Sequence, residues 1–417
     1  MEESTTVKIE CALDQSRKLN FRPSRRSIYR VPDLLRKMNE EAYTPQLISI
    51  GPFHYGSKKL QSMENFKLKF LNHFIERADI KLKDLVSIIK DLEQSVRECY
   101  EGTVEIESDD FVKMILLDAC FIIEYFLTSD KSELSTDHGD LKELKVWQTS
   151  RIELDLRLLE NQLPLFIINK LYEPLPLKSP SIYPSSFLER SFKFFGNINQ
   201  QQKRPDDPDL EETRHIIDLA RYFFLPRRQS LPERSFNVIT EMYSASQLAE
   251  AGMKFRPSSS ASLVDLKLND RVLEIPSFPL TKGTEIIARN LIALEQCHYQ
   301  DEAYVTDYFI MLDFLINTGK DVDLLVQERI LLNEMGTNSK PTLPSNLCTG
   351  ISRWNTNADY YRLSRQLVHF RRKHWYVILK SSLKQDYFRT PWMGAATVGA
   401  IILLILTLIQ TICTIFK

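Results

Sequence analysis

The sequence predicts a mainly α-helical protein: an intertwined globular body with one small β hairpin, followed by a single C-terminal transmembrane helix. Three observations predict it. Apolar residues recur at intervals of three and four through most of the chain, the spacing of one helix face. Only 12 of the 417 residues are Gly, too few for an all-β fold rich in tight turns. Residues 391–416 read PWMGAATVGAIILLILTLIQTICTIF, with no charge between Arg389 and Lys417.

Residues 1–27 are polar and are expected to form a mobile tail, with the body running over 28–385. The segment 42–56 (AYTPQLISIGPFHYG) holds Pro45 and Pro52, which forbid a continuous helix. Leu60, Met63, Phe66, Phe70 and Phe74 then lie on one helix face, and Leu82, Leu85, Ile88, Ile89, Leu92 and Val96 on that of a second. Asp109 to Leu127 is apolar almost all round, the mark of a central helix, with Asp109 and Asp110 suited to its start.

A polar stretch near 128–146 reads as a loop. A helix is expected from Trp147 through Leu163, interrupted or kinked at Pro164 and continuing to Leu171. Residues 196–212 (GNINQQQKRPDDPDLEE) are nearly devoid of apolar side chains and predict a disordered loop. Helices are expected at 211–224 and 238–251. Val264, Leu266 and Leu268 alternate, Asn269-Asp270 supplies a turn, and Val272 to Phe278 is extended: a hairpin. Helices follow at 288–297, 305–315, 322–334 and 359–383.

The segment 391–416 is long enough to cross a bilayer core, which takes about 20 apolar helical residues. Trp392, Gly399, Ile401, Leu404 and Phe416 are assigned to it. Its Thr residues can return their hydroxyls to their own helix. Upstream lie Arg371, Arg372, Lys373, Lys380, Lys384 and Arg389 against the single acid Asp386. Positive flanks stay on the cytoplasmic side. The expectation is a tail anchor with a cytosolic body, in a plasma membrane or endomembrane that the sequence leaves open. Arg371, Arg372 and Lys373 could meet anionic lipid. Ala395 and Gly399, four apart, form a strip of small residues on which two such helices could associate.

The remaining composition is plain. The net charge is -1, so no global field favours nucleic acid. Cys11, Cys99, Cys120, Cys297, Cys348 and Cys413 are scattered without paired spacing, as in a reducing compartment.

Several segments resemble a known family when taken in order. They are IYRVP (28–32), AYTPQLISIGPFHYG (42–56), ME-x-x-K at Met63 to Lys67, LLENQLP (158–164), ASQLAEAGMKF (245–255), VLEIP (272–276), RNLIALEQC (289–297) and the apolar span after Pro391-Trp392. Together they resemble the plant-specific family of domain of unknown function 247, over roughly residues 28–417. The resemblance implies a plant protein with a C-terminal transmembrane helix and no catalytic residues to carry over. Some members are tied to self-incompatibility in grasses and to reproductive recognition, which is said of those members alone.

Candidates for chemistry are sparse. Cys297-His298 are adjacent, and adjacent helical side chains point about 100° apart. His369 and His374 are five apart, whereas helical zinc pairs use four. His54 sits in a turn-rich loop without the GK[ST] of a phosphate loop. Glu160, Asn161 and Gln162 interrupt an apolar run, and are read as satisfying backbone groups freed by Pro164, with a polar pocket as the alternative. Arg22, Arg25, Arg26 and Arg30 form an N-terminal basic cluster. No catalytic residue, cofactor or metal ligand is assigned. The function expected is that of a membrane-tethered, non-catalytic interaction or recognition protein. Its expected partners are the lipid bilayer and an unidentified protein. The alternative is a membrane-bound enzyme using Glu160, His54 or Cys297.

Overall fold

A computed structural model describes residues 25–128, 144–173, 186–196, 198–199, 201–260, 262–333, 347–374, 376 and 391–415. These residues hold fourteen α-helices and seven short strands, so the mainly α expectation holds. The chain divides into two compact units. Unit 1 takes Met1–Leu231, Thr281–Thr306 and Asn346–Ser352; unit 2 takes Pro232–Leu280, Asp307–Ser345 and Arg353–Lys417. Most of the expected tail and of the 128–146 loop lies outside the described residues.

In unit 1, α1 (Asp33–Arg36) is a single turn. The chain then runs irregularly to Gly56, with 3₁₀ turns at Glu40–Ala42 and Pro52–His54. Gly51 has φ +73°, and a Cβ there would sit 2.6 Å from the Gln162 carbonyl oxygen, so only Gly fits. Three long helices follow: α2 (Gln61–Ala78), α3 (Leu82–Arg97) and α4 (Ser108–Thr128). In α4 every residue from Phe111 to Leu127 is buried except Lys113. Helices α2 and α3 both pack on it, which makes it the central helix its composition predicts.

After α5 (Val146–Asp155) the structure departs from the expected helix. Residues 156–164 leave the helical path before Pro164, and α6 (Leu165–Tyr172) starts afresh. The side chain of Gln162 donates to the carbonyls of Leu156 and Leu158, and that of Asn161 to Asp155, so these side chains replace the helical ladder. Next come α7 (Phe187–Phe194) and α8 (Ile216–Phe224). Between them, the described part of 196–212 is packed where disorder was expected. Leu210 is buried, Tyr222 donates to Asp207, and Lys203 lies 3.8 Å from the centre of the Tyr222 ring. The aliphatic stem of a lysine buries as an apolar side chain does, which a count of apolar residues misses.

Unit 2 begins with β1 (Arg234–Ser235) and α9 (Ala245–Glu250). Helix α9 starts later than expected because Ser244 and Gln247 form a capping box there. Then come β2 (Lys254–Pro257), β3 (Lys267–Asn269), β4 (Val272–Ile275) and β5 (Phe278–Leu280). The hairpin is β3–β4, turning at Asp270 with φ +53°. A partner that local alternation cannot reveal, β2, lies parallel to β4 on its other edge.

The chain returns to unit 1 as α10 (Lys282–Cys297), buried from Ile286 to Glu295 and packed on α5 and α8. It then forms α11 (Tyr304–Leu315), whose residues from Asp307 onward belong to unit 2, and α12 (Gly319–Gln327). Helix α12 ends early at Arg329, φ +58°, and β6 (Leu331–Asn333) runs parallel to β5. Next come β7 (Thr356–Asn357), antiparallel to β1, α13 (Ala358–Lys373) and α14 (Pro391–Ile415).

One core residue of unit 2 stands against the rule that buried polar groups are partnered. Tyr308 is fully buried, and among the described residues its hydroxyl has no hydrogen-bond partner. An unsatisfied buried hydroxyl costs about 1–3 kcal/mol. Tyr308→Phe should therefore stabilise the detergent-solubilised chain by about 1 kcal/mol, read as a higher midpoint in thermal unfolding. A lower midpoint would show that the hydroxyl has a partner after all.

Candidate functional site

The C-terminal part of unit 2 holds the basic run and the apolar segment that the sequence singles out. Helix α13 is capped by Asn357, whose side-chain oxygen accepts from the amides of Asp359 and Tyr360. Tyr360, Leu363, Ser364, Leu367, Val368 and Phe370 face inward. Arg362, Arg365, Gln366, His369, Arg372 and Lys373 are exposed. At 100° per residue the exposed six fall within an arc of about 120°, so they make one continuous face. Asp359 lies 3.5 Å from Arg362, and Glu241 3.4 Å from Arg372.

The predicted basic cluster is split by this geometry. Arg372 and Lys373 face solvent. Arg371 turns aside, its guanidinium 4.2 Å from the centre of the Tyr243 ring, a cation–π contact. The residues that replace it on the face are Arg362, Arg365 and His369. Their i, i+3, i+7 spacing is the sequence signal that places them on one helix face, apart from the contiguous basic run at 371–373. His374, five residues from His369, is buried, with Nδ1 2.8 Å from the Phe370 carbonyl oxygen.

Seventeen residues after α13, helix α14 begins. It is long and apolar enough to cross a membrane. Leu404 is 71% exposed and Ile401 49%. Thr407 donates to the Leu403 carbonyl and Thr411 to that of Thr407, so neither hydroxyl needs an outside partner. Ala395 is exposed, and a side chain added at Gly399 would meet nothing within 4 Å. The backbone at Trp392 is helical, and Phe416, Lys380, Lys384, Asp386 and Arg389 lie outside the described residues.

The polar residues of LLENQLP sit in unit 1, in a buried seam that organises residues 28–56. Glu160 accepts from the Val31 amide and the Arg36 guanidinium, and His54 Nε2 lies 3.2 Å away. Burial would raise the Glu160 carboxyl, but these three contacts outweigh it and hold it below the ordinary range. Asn161 accepts from the Ile50 amide and donates to the Ile48 carbonyl. Asp155, which the sequence did not single out, accepts from the amides of Gln46, Leu47 and Ile48. Lys67 and Asp118 are both fully buried and 2.5 Å apart, and Asp118 also accepts from the Gly51 amide. Asn290 of α10 accepts from the Leu159 amide and donates to the Ala42 carbonyl. This seam is where the Glu160–Gln162 expectation leads: its polar groups satisfy backbone.

The structure brings Glu160 and His54 together, and turns the Cys297-His298 pair to other partners. Cys297 Sγ is 3.9 Å from the Arg30 carbonyl oxygen, and burial pushes its thiol up to about 12. His298 Nδ1 meets the Tyr29 hydroxyl at 2.8 Å, and burial with Arg214 nearby pulls its imidazole down to about 4. Of the N-terminal basic residues, Arg25 donates to Ser95 and Arg30 lies over the Phe53 ring, while Arg22 is outside the described residues. Unit 1 also has a cleft of about 60 Å³ between α8 and residues 299–302. Its charges are already matched: Arg221 binds Glu295, Arg228 binds Glu212, and Tyr299 donates to Asp218.

The molecule is thus a mainly helical protein in two units that carries, among the described residues, one apolar helix long enough to span a membrane. The chain belongs to the DUF247 family, described as plant protein of unknown function, which matches residues 28–406. It is similar to the UPF0481 protein At3g47200 of Arabidopsis thaliana, 28% identical, with 92% of this chain and 85% of that protein covered. It is also similar to the UPF0481 protein At3g02645 of the same plant, 21% identical, with 94% and 90% covered. No solved structure matches.

Proposed function

We propose that this chain is a membrane-tethered, non-catalytic protein whose helical body faces the cytosol and presents a surface to a recognition or signalling partner. The observation that carries the reading is α14, 25 residues without an acidic or basic side chain. An aqueous surface would leave its exposed Leu and Ile side chains hydrated. The orientation rests on the six basic residues upstream against one acid.

Deleting residues 391–417 should move the protein from the membrane fraction to the soluble one. In sealed microsomes, added protease should digest the body of the intact chain. Pelleting of the truncated chain after a high-salt wash would overturn the single anchor, and protection of the body would overturn the orientation. The Ala395–Gly399 strip supports self-association of the anchor, and in a bilayer reporter assay Gly399→Ile should weaken the signal. An unchanged signal would show that the strip carries no association.

The enzyme reading draws on the contact between His54 and Glu160. Its third candidate, Cys297, has a thiol held well above neutral pH, the opposite of an activated nucleophile. A covalent adduct formed selectively at Cys297 and lost on competition with a metabolite would favour that reading.

A further inference from the structure

We propose that the exposed face of α13 is a recognition surface for anionic lipid headgroups, with Arg362, Arg365, His369, Arg372 and Lys373 meeting the phosphates of the bilayer that receives α14. This rests on the membrane-tethered reading above.

The stripe is built on a rigid element. From residue 362 to 373 it runs about 16 Å along the helix, at 1.5 Å per residue. Arg362 and Arg372 are 71% and 65% exposed, so their guanidiniums reach solvent from both ends of the stripe. The acids beside it, Asp359 and Glu241, each touch one arginine, leaving the face with a positive balance.

The inward face decides how the helix can meet a membrane. An amphipathic helix that lies in a bilayer offers its apolar side to the lipid tails. In α13 that side is committed to the core of unit 2 through Leu363, Leu367 and Phe370. The helix can therefore touch lipid only by its charged face and only at headgroup level, so recognition is by charge.

The chain itself selects the occupant. Residues 374–390, which separate α13 from α14, span at most about 60 Å fully extended. Once α14 is inserted, headgroups are held near α13 at high effective concentration, whereas a soluble acidic partner must arrive by diffusion. Each basic residue near such a surface strengthens attraction by about fivefold.

The test uses the full chain in nanodiscs, with Gln366→Cys in the middle of the stripe carrying a fluorophore and the parent chain labelled in parallel as background. Discs contain either phosphatidylcholine alone or phosphatidylcholine with phosphatidylserine, plus a headgroup-borne quencher. Quenching should be stronger with phosphatidylserine. That difference should vanish in about 0.5 M salt, where the screening length falls to a few ångströms. It should vanish too when Arg362, Arg365, Arg372 and Lys373 are all changed to Gln. Equal quenching in the two compositions overturns the proposal, as does a difference that survives the four changes. A label that responds to poly-glutamate and not to phosphatidylserine assigns the face to an acidic protein and also overturns it. Failure of the chain to enter discs at all would instead count against the tethering on which the proposal stands.

Discussion

Lys67→Met should destabilise the protein by about 3–5 kcal/mol, because it leaves Asp118 as a buried charge without its partner. The Lys67 ammonium donates to the Ser49 carbonyl, to Glu64 and to Asp118, and joins α2, α4 and the segment that precedes them. Burial pulls that ammonium down, but the two carboxylates outweigh it and raise it. Burial also pushes the Asp118 carboxyl up to about 6. A carboxyl raised above its ordinary value of about 3.9 contributes stability that is present at low pH and lost as the pH rises through the folded value. Removing Lys67 moves that value higher. The deficit of the variant relative to the parent should therefore grow between about pH 5 and pH 8. Denaturant unfolding of the detergent-solubilised chain reads both quantities. Lys67→Met with Asp118→Asn should recover most of the loss, since the amide oxygen can still accept from Gly51. If the single variant unfolds with the parent at all pH values, the pair holds nothing together.

Asp155→Ala is the second large loss, also about 3–5 kcal/mol, from three backbone amides left without an acceptor. Leu47 N–H lies 2.7 Å from the carboxylate, Ile48 3.0 Å and Gln46 3.1 Å, and the carboxylate is fully buried. Asp155→Asn keeps one oxygen and should lose less. The distinguishing measurement is amide hydrogen exchange: protection at residues 46–48 should collapse before that of α4. Uniform loss across the chain would mean that the carboxylate supports the whole of unit 1 and not that segment alone.

What could be read from the sequence follows from how local each signal is. Helices α2, α3 and α4 were legible because their apolar residues repeat within a few positions. The β3–β4 hairpin was legible for the same reason. Strands β1 and β7 are two residues each and pair across more than 120 positions, so no local period announces them. The polar residues of LLENQLP stood out, but their partners at 31, 36, 48 and 50 could be learned only from the fold. Lys67 was visible within ME-x-x-K, yet nothing local says that a lysine will be buried. The apolar helix α14 was the plainest feature, since hydration of such a stretch is unfavourable whatever surrounds it.

The staple made by Asn290 also sets a clock. It closes on Leu159, 131 positions earlier, and on Ala42, 248 positions earlier. Ribosomes extend a chain by about 5–20 residues per second. The Leu159 amide and the Ala42 carbonyl must therefore wait about 7–26 s after Leu159 is made before the side chain that satisfies them exists. Through that interval the first half of unit 1 is a nascent chain with an open polar seam and incompletely covered apolar helices. It is the species on which a chaperone would act, well before the apolar residues of α14 have been synthesised.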